Sequence, residues 1–302
     1  MKIYYGLISY NIDVTDICFT KLQKNNIITI PYGDNNRSAY FGDPVNGTLK
    51  KIIIIKDNIT YEYEDIYTIQ INLINEDIQI IDNSIINNLI ESKLADIHSK
   101  LVIKYGSFNE EFPEQKMAIR YLTGNEKILE IGGNIGRNSL IISYILGSND
   151  KYLVTLESDI NIANQLIENR NLNNFNFNIE NSALSKRLLI QKSGTWDTIP
   201  SDSLLEGHEW VNIISFKQLQ NKYNIIFDTL VLDCEGAFYY ILLDMPEILD
   251  NINLIIMEND YYDISKKQYV DDVLVKNNFY RNYVEAGGWG PCYNNFFEVW
   301  KK

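Results

Sequence analysis

The chain has 302 residues, 45% of them apolar, enough to bury one large core or two smaller ones, and it reads as globular rather than disordered. Its net charge is -13 and no basic stripe is interleaved with aromatics, so the electrostatic footprint of a nucleic-acid binder is missing. Cys18, Cys234 and Cys292 stand far apart, which excludes a disulfide framework and a thiolate zinc site, and no apolar run approaches the roughly 20 residues needed to cross a bilayer.

These features predict a protein of a reducing compartment, the cytoplasm, without membrane insertion. The stretch Met1–Thr15 has no basic segment followed by a continuous apolar one. The abundance of Asn, Ile, Tyr and Lys fits AT-rich codon usage, hence a viral or AT-rich microbial genome, and the host cytoplasm if viral. Without a secretory signal, the glycosylation patterns at Asn46 and Asn58 read as chance matches.

Residues 1–71 are predicted to form a small all-β domain. The run Asn25–Pro31 is followed by the turn-rich Gly33–Gly47, then by Lys50–Tyr63, two apolar runs split at Asp57–Asn58. Residues 72–108 read as a helical linker, because Ile86, Leu89, Ile90, Leu94 and Ile97 recur at helical spacing. His98 on that helix is expected to be structural.

From residue 109 to 302 the pattern changes to alternating helices and strands. Pro113 suits the first turn of a helix carrying Ala118, Tyr121 and Leu122 on one face. Strand Lys127–Ile131, helix Gly136–Leu146 closed by Gly147, strand Tyr152–Glu157 and a helix N-capped by Asp159 follow. Strand Phe175–Glu180 precedes an irregular insertion from Leu184 to about Asn212 and a short helix at Phe216–Tyr223. Strand Phe227–Asp233, helix Ala237–Leu243, strand Ile252–Glu258 and a helix opened by a Ser265–Gln268 capping box come next, then Phe279–Val284 and Asn295–Lys301. The expected fold is α/β: a mostly parallel sheet with helices on both faces, its ligands at the carboxyl ends of the strands.

The densest chemical signal is the turn Glu130–Gly136. Gly132, Gly133 and Gly136 permit a tight reversal and close approach of a ligand, toward which the next helix directs its free N–H groups. The spacing departs from the G-x-G-x-x-G of dinucleotide folds. Glu130, two residues before the first glycine, suits a ligand with positive charge such as S-adenosylmethionine and would repel a pyrophosphate. Glu157 closes the second strand, where a carboxylate can accept hydrogen bonds from both ribose hydroxyls.

Four stretches, "LEIGGNIGRNSL", "LESDINIANQLIENRNLN", "NSALS" and "DTLVLDCEGAFYYILLDMPEIL", together make residues 110 to 302 resemble an FkbM-type class I methyltransferase. Asn134 in place of the middle glycine is a habit of that family. The resemblance implies a Rossmann-like sheet, S-adenosylmethionine as cofactor, and O-methylation of sugars and related small molecules. It also implies that Glu130, Gly132, Asn134 and Gly136 hold the methionine end, that Glu157 with Ser158 binds ribose, and that Ser182 and Ala183 lie against adenine. Gly133 and Asp233 complete the implied cofactor set. The N-terminal domain has no counterpart in the minimal family.

Asp233 and Glu235 end the fourth strand of this domain, and Glu258 and Asp260 end the fifth, so neighbouring strand ends should gather four carboxylates at one rim. Methyl transfer to an alcohol needs the hydroxyl proton removed as the oxygen attacks, which a carboxylate base supplies. A Mg2+ ion on Asp233, Glu235 and Glu258 would help by lowering the hydroxyl pKa. The alternative is that Glu235 and Glu258 only bind substrate hydroxyls or balance helix ends. His208, inside the insertion, is a further candidate base, with an ordinary loop histidine as its alternative. Trp196, Trp210 and Trp289 fall near the expected lid, where an indole can lie against a pyranose or simply pack. The place where base methylases carry an Asn/Asp-Pro-Pro-aromatic corner reads "DCEG" here, a further argument against a nucleic-acid substrate.

The expected function is S-adenosylmethionine-dependent O-methylation of a sugar, nucleotide-sugar or glycan precursor, by a chain that can form a homo-oligomer. Methylation of another small-molecule hydroxyl, or a cofactor-binding scaffold without catalysis, are the alternatives.

Overall fold

Short runs of branched apolar residues make the frame of the larger unit. In the computed structural model, which describes residues 1–192, 194–195 and 198–302, they form a seven-stranded sheet. Its strands are labelled in chain order: β1 Ile128–Ile131, β2 Leu153–Leu156, β3 Asn178–Glu180, β4 Thr229–Leu232, β5 Leu254–Glu258, β6 Tyr280–Glu285 and β7 Phe297–Lys301. All residues of β1, β2 and β4 are buried, as expected of parallel strands covered on both faces. The spatial order is β3-β2-β1-β4-β5-β7-β6. Pairing is parallel from β3 through β5, and β7 runs antiparallel to β5. The chain therefore winds outward in two directions from β1 and β4, and the switch point falls between Gly132 and Asp233, where such sheets bind ligands.

The helices are α1 Phe112–Tyr121, α2 Arg137–Leu146, α3 Ile160–Leu172, α4 Phe216–Tyr223, α5 Phe238–Asp244 and α6 Ile264–Lys276. Asp159 caps α3 as expected, its Oδ1 accepting from the Asn161 N–H at 2.7 Å. The capping box expected at Ser265–Gln268 is replaced by Asp263, whose carboxylate accepts the Ser265 N–H at 2.9 Å. A capping box is found instead at Ser215–Gln218, opening α4. Among its described residues the insertion expected to be irregular carries strands: Leu189–Lys192 pairs antiparallel with both Thr198–Pro200 and His208–Val211. Its alternation is short and broken by Gly194 and Gly207, which hid it in the sequence.

The chain divides into Met1–Leu89 with Val284–Gly287, and Ile90–Tyr283 with Gly288–Lys302. In the first unit two four-stranded antiparallel sheets enclose a core of Ile3, Tyr5, Ile28, Ile52, Ile54 and Ile69. The two apolar runs split at Asp57–Asn58 form a hairpin, with Asp57 at φ 51° and Asn58 at φ 63°, the left-handed pair that a primed two-residue turn requires. Two helices interrupt the expected all-β reading, Thr15–Lys21 and Asp34–Phe41. The second occupies residues read as turn punctuation and is fixed by tertiary contacts. Arg37 on it is fully buried and donates to the carbonyls of Pro31, Glu64 and Tyr67, while Asp34 accepts the Tyr5 hydroxyl at 2.6 Å.

The expected boundary at residue 71 cuts a hairpin, because Ile78–Asp82 pairs with Tyr67–Asn72. The expected linker resolves into that strand and the helix Asn83–Lys100, whose Ile90, Leu94 and Ile97 are buried in the core of the larger unit. His98 is structural as expected, with Nε2 2.6 Å from Gln115 Oε1 and its ring stacked on Phe108. No helix among the described residues is long and apolar enough to cross a membrane.

Candidate active site

Strand β1 ends at Ile131 and the chain reverses at Gly132, whose φ is 91°. A Cβ there would lie 1.5 Å from the Asp233 carbonyl oxygen, so only glycine lets the turn pass the end of β4 this closely. Asn134 is also left-handed, at φ 47°, a conformation its short polar side chain tolerates. Its N–H donates to Glu157 Oε2 at 2.9 Å, and Glu157 Oε1 accepts the Asp159 N–H at 2.8 Å. Glu157 thus joins the glycine turn of β1 to the start of α3. Burial pushes its carboxyl above the ordinary value, and the two backbone donors oppose that rise.

Around this junction opens a cleft of about 490 Å3 at the carboxyl ends of the strands. Of the expected cofactor residues, Gly132, Asn134, Glu157, Ser158, Ser182, Ala183 and Asp233 line it. Glu130, Gly133 and Gly136 are not among its lining residues. The expectation that Glu130 meets the ligand is therefore corrected. Its carboxyl is fully buried, where Oε2 accepts the Ser139 hydroxyl of α2 at 2.5 Å and the Thr155 hydroxyl of β2 at 2.6 Å. Burial raises its pKa to about 7. Glu130 ties β1, β2 and α2 together behind the turn. The insertion forms part of the wall through Leu189, Gln191 and Thr198, and the Ser158 hydroxyl donates to Gln191 Oε1 at 3.4 Å.

The rim acids gather, with a different membership from the expected one. Asp233, Glu258 and Asp260 each offer a carboxylate oxygen within 4.8 Å of the others. Glu235 does not join that group: it sits at φ 49°, exposed, though still lining the cleft. Two acids missed by the sequence reading come from the segment before β1. Glu111, left-handed at φ 57°, accepts from Arg137 Nη1 at 2.7 Å. Glu114, on the first turn of α1, is 8% exposed, and its Oε2 has no hydrogen-bond partner. The sequence signal was "NEEFPEQ", two acids flanking the helix-opening Pro113, without a strand end to mark them as site residues.

Burial pushes the Glu258 carboxyl up to about 12, reinforced by a hydrogen bond with the Glu114 carboxyl and by the charges of Asp233, Glu114 and Asp260. Asp233 is raised well above the usual carboxylate range by burial and by its acidic neighbours. Crowding of this kind favours a shared proton, or a cation, among the carboxyls of the nest. Three carboxylate oxygens within this reach of one another could hold a metal ion.

His208 is not brought to the cleft. It lies on the outer strand of the insertion sheet with Nδ1 3.0 Å from the Glu206 carbonyl oxygen, and the reading of it as a base is withdrawn. Trp210 is half-exposed on the same strand. Trp289 packs its ring 4.3 Å from that of the exposed Tyr262. Trp196 lies outside the described residues.

The sheet order, the glycine turn at the switch point and the acid ending β2 define a Rossmann-like fold of the kind that binds adenosine-containing cofactors. Among solved structures the chain is similar to a putative O-methyltransferase from Klebsiella pneumoniae, at 15% identity and a TM-score of 0.40, covering 72% of this chain and 93% of that one. It is similar to an O-methyltransferase from Bacillus cereus in complex with SAH, at 14% identity and a TM-score of 0.41, covering 70% and 90%. It is also similar to fibrillarin from Aeropyrum pernix in complex with S-adenosyl-L-methionine, at 9% identity and a TM-score of 0.39, covering 78% and 93%. No family model matches the sequence. No curated protein matches it either.

Proposed function

We propose that the chain is an S-adenosylmethionine-dependent O-methyltransferase that acts on a hydroxyl of a sugar or glycan precursor. The observation behind the reading is Glu157, held by the Asn134 N–H in a cleft that Asp233 and Glu258 also line. In this reading its carboxylate would accept from the two ribose hydroxyls, Gly132 and Asn134 would offer backbone to the methionine end, and Ser182 and Ala183 would lie against the adenine. S-Adenosylmethionine, when bound, supplies an electrophilic methyl group. The acid nest supplies the complement: whichever of Asp233 and Glu258 is ionised takes the proton of the acceptor hydroxyl as its oxygen attacks.

Mg2+ fits the same nest. Asp233, Glu258 and Asp260 would hold it, with the orphaned Oε2 of Glu114 close by, and there it would lower the pKa of an acceptor hydroxyl. The cleft is lined by seven carboxylates and, among its described lining residues, by no lysine, arginine or histidine. Those that stay ionised favour an uncharged sugar or glycan over a nucleotide-sugar, whose diphosphate they would repel.

The test is a screen of neutral glycans and nucleotide-sugars with labelled methyl donor, run with magnesium and with EDTA. Methyl transfer to a neutral glycan, lost in EDTA and restored by magnesium, is the expected outcome; transfer unaffected by EDTA would leave a carboxylate as sole base. A protein stabilised by NAD and indifferent to S-adenosylhomocysteine would sink the reading, since a ligand of the native state must stabilise it.

A further inference from the structure

The end of β3 carries a hydrogen-bond network that the chemistry above leaves unused. Glu180 is buried beneath the cleft wall, 7% exposed. Its Oε1 accepts the Ser182 hydroxyl at 2.9 Å, and its Oε2 accepts Lys222 Nζ at 2.6 Å and the Tyr223 hydroxyl at 2.8 Å. Lys222 and Tyr223 are the last two residues of α4, a helix whose start is fixed by the Ser215–Gln218 capping box. Burial alone would raise the Glu180 carboxyl; its three donors outweigh that and hold it below its ordinary value, so it is ionised at neutral pH.

The consequence falls on Ser182, which lines the cleft. An ionised carboxylate only accepts hydrogen bonds, so the serine must spend its single proton on Glu180. Its backbone N–H is engaged as well, by the Glu180 carbonyl at 2.9 Å. What Ser182 Oγ has left for a ligand is lone pairs. Without Glu180 the same hydroxyl would rotate and serve a donor or an acceptor equally.

We propose that Glu180 is a positioning residue that makes Ser182 an obligate hydrogen-bond acceptor, so that the cleft selects a purine with an exocyclic amino group, adenine, over one with a carbonyl in that place. The inference rests on the cofactor reading above. It adds a direction to the hydrogen bond, and with it a reason for Lys222 and Tyr223 to converge on one buried acid.

The experiment compares dissociation constants of S-adenosylhomocysteine and its deaminated analogue S-inosylhomocysteine, in which the 6-amino group is a 6-oxo group, on the full chain. The wild type should prefer the amino ligand by about tenfold or more, the scale of one mismatched buried hydrogen bond. Ser182→Ala should bring the ratio near one. Glu180→Gln is the sharper variant: its amide oxygen must face the Lys222 and Tyr223 donors, so its NH2 faces Ser182 and turns the hydroxyl into a donor. The preference should then shift toward the 6-oxo ligand. A merely structural role for Glu180 would weaken both ligands alike and leave the ratio unmoved, which overturns the proposal, as does a wild type that binds both within twofold. A chain that binds neither ligand defeats the cofactor reading and this inference with it.

Discussion

The two ends of the cleft treat their carboxylates in opposite ways. At the end formed by β2 and β3, Glu157 accepts two backbone N–H groups and Glu180 accepts three side-chain donors. At the end formed by β4 and β5, Asp233 and Glu258 face other acids, and Glu114 presents an oxygen with no partner. The first arrangement fixes side chains in one orientation before any ligand arrives. The second stores repulsion that a proton, a cation or an acceptor hydroxyl relieves. Binding groups need the former, while groups that must exchange a proton during a reaction need the latter.

The largest effect should come from the strained end. Glu258→Gln should lower single-turnover methyl transfer by about 10²–10⁴-fold, the usual contribution of a general base or its metal, with S-adenosylhomocysteine affinity held within a few-fold. Near-native turnover would show that the crowded acids are incidental. At the ordered end the split should be the reverse. Glu157→Ala removes an acceptor for both ribose hydroxyls and should weaken S-adenosylhomocysteine by roughly 10–100-fold in a calorimetric titration. It should largely abolish the thermal shift given by that ligand, and a full shift in the variant would move the ribose elsewhere.

How much of this contrast the sequence could show depends on where each acid sits. Asp233, Glu157 and Glu258 end or follow strands whose apolar runs are unmistakable, so their convergence on one cleft was legible from pattern alone. Glu130 was legible as a strand-end acid and still misread, because the pattern does not say which face of β1 it occupies. Ser139 and Thr155, its partners, come from α2 and β2. Glu111 and Glu114 were illegible for a different reason. The segment before them is pinned to α3 by Asn169, whose Oδ1 accepts the N–H groups of Lys104 and Tyr105 and whose Nδ2 donates to the Ile135 carbonyl. Such long-range pins leave no period in the text. The same holds for the helix Asp34–Phe41, where a buried arginine overrides local turn chemistry.

Glu130 also gives the comparison a pH axis, since it is buried like the rim acids yet hydrogen-bonded like Glu157. Its folded pKa, about 7, lies above the ordinary value of 4.5, so the folded state binds the extra proton between those limits. The stability tied to that proton is present below pH 4.5, falls as pH rises, and is gone above pH 7, a loss of about 3 kcal/mol for a shift of this size. Urea unfolding at pH 5 and pH 8 should show the decline, and Glu130→Gln should flatten it. Asp233 and Glu258 are raised too and add slope of the same sign, which magnesium at pH 8 should remove if the ion occupies the nest. A wild-type chain equally stable at both pH values would mean that Glu130 is ionised and hydrogen-bonded well enough to resemble Glu180.

The smallest effect separates the two ends most directly, because it has opposite signs. Glu114→Gln keeps the shape of the side chain and removes a carboxylate from among Glu258 and Asp233, so the ligand-free protein should become more stable by about 1 kcal/mol. The amide NH2 can also donate to Glu258 and satisfy it. Glu180→Gln keeps the shape as well, but it exchanges a charged acceptor for a neutral one under Lys222 and Tyr223, and should cost about 1 to 2 kcal/mol. Both are read from denaturant midpoints at pH 7.5 without added metal. Two losses of equal size would mean that Glu114 is held by its surroundings as firmly as Glu180, and the rim would then be a structural acid cluster rather than a site kept under repulsion for its chemistry. A gain at Glu114 alongside a loss of turnover in the same variant would fix the opposite conclusion, since stability and activity trade against each other where a site is built at the expense of the fold.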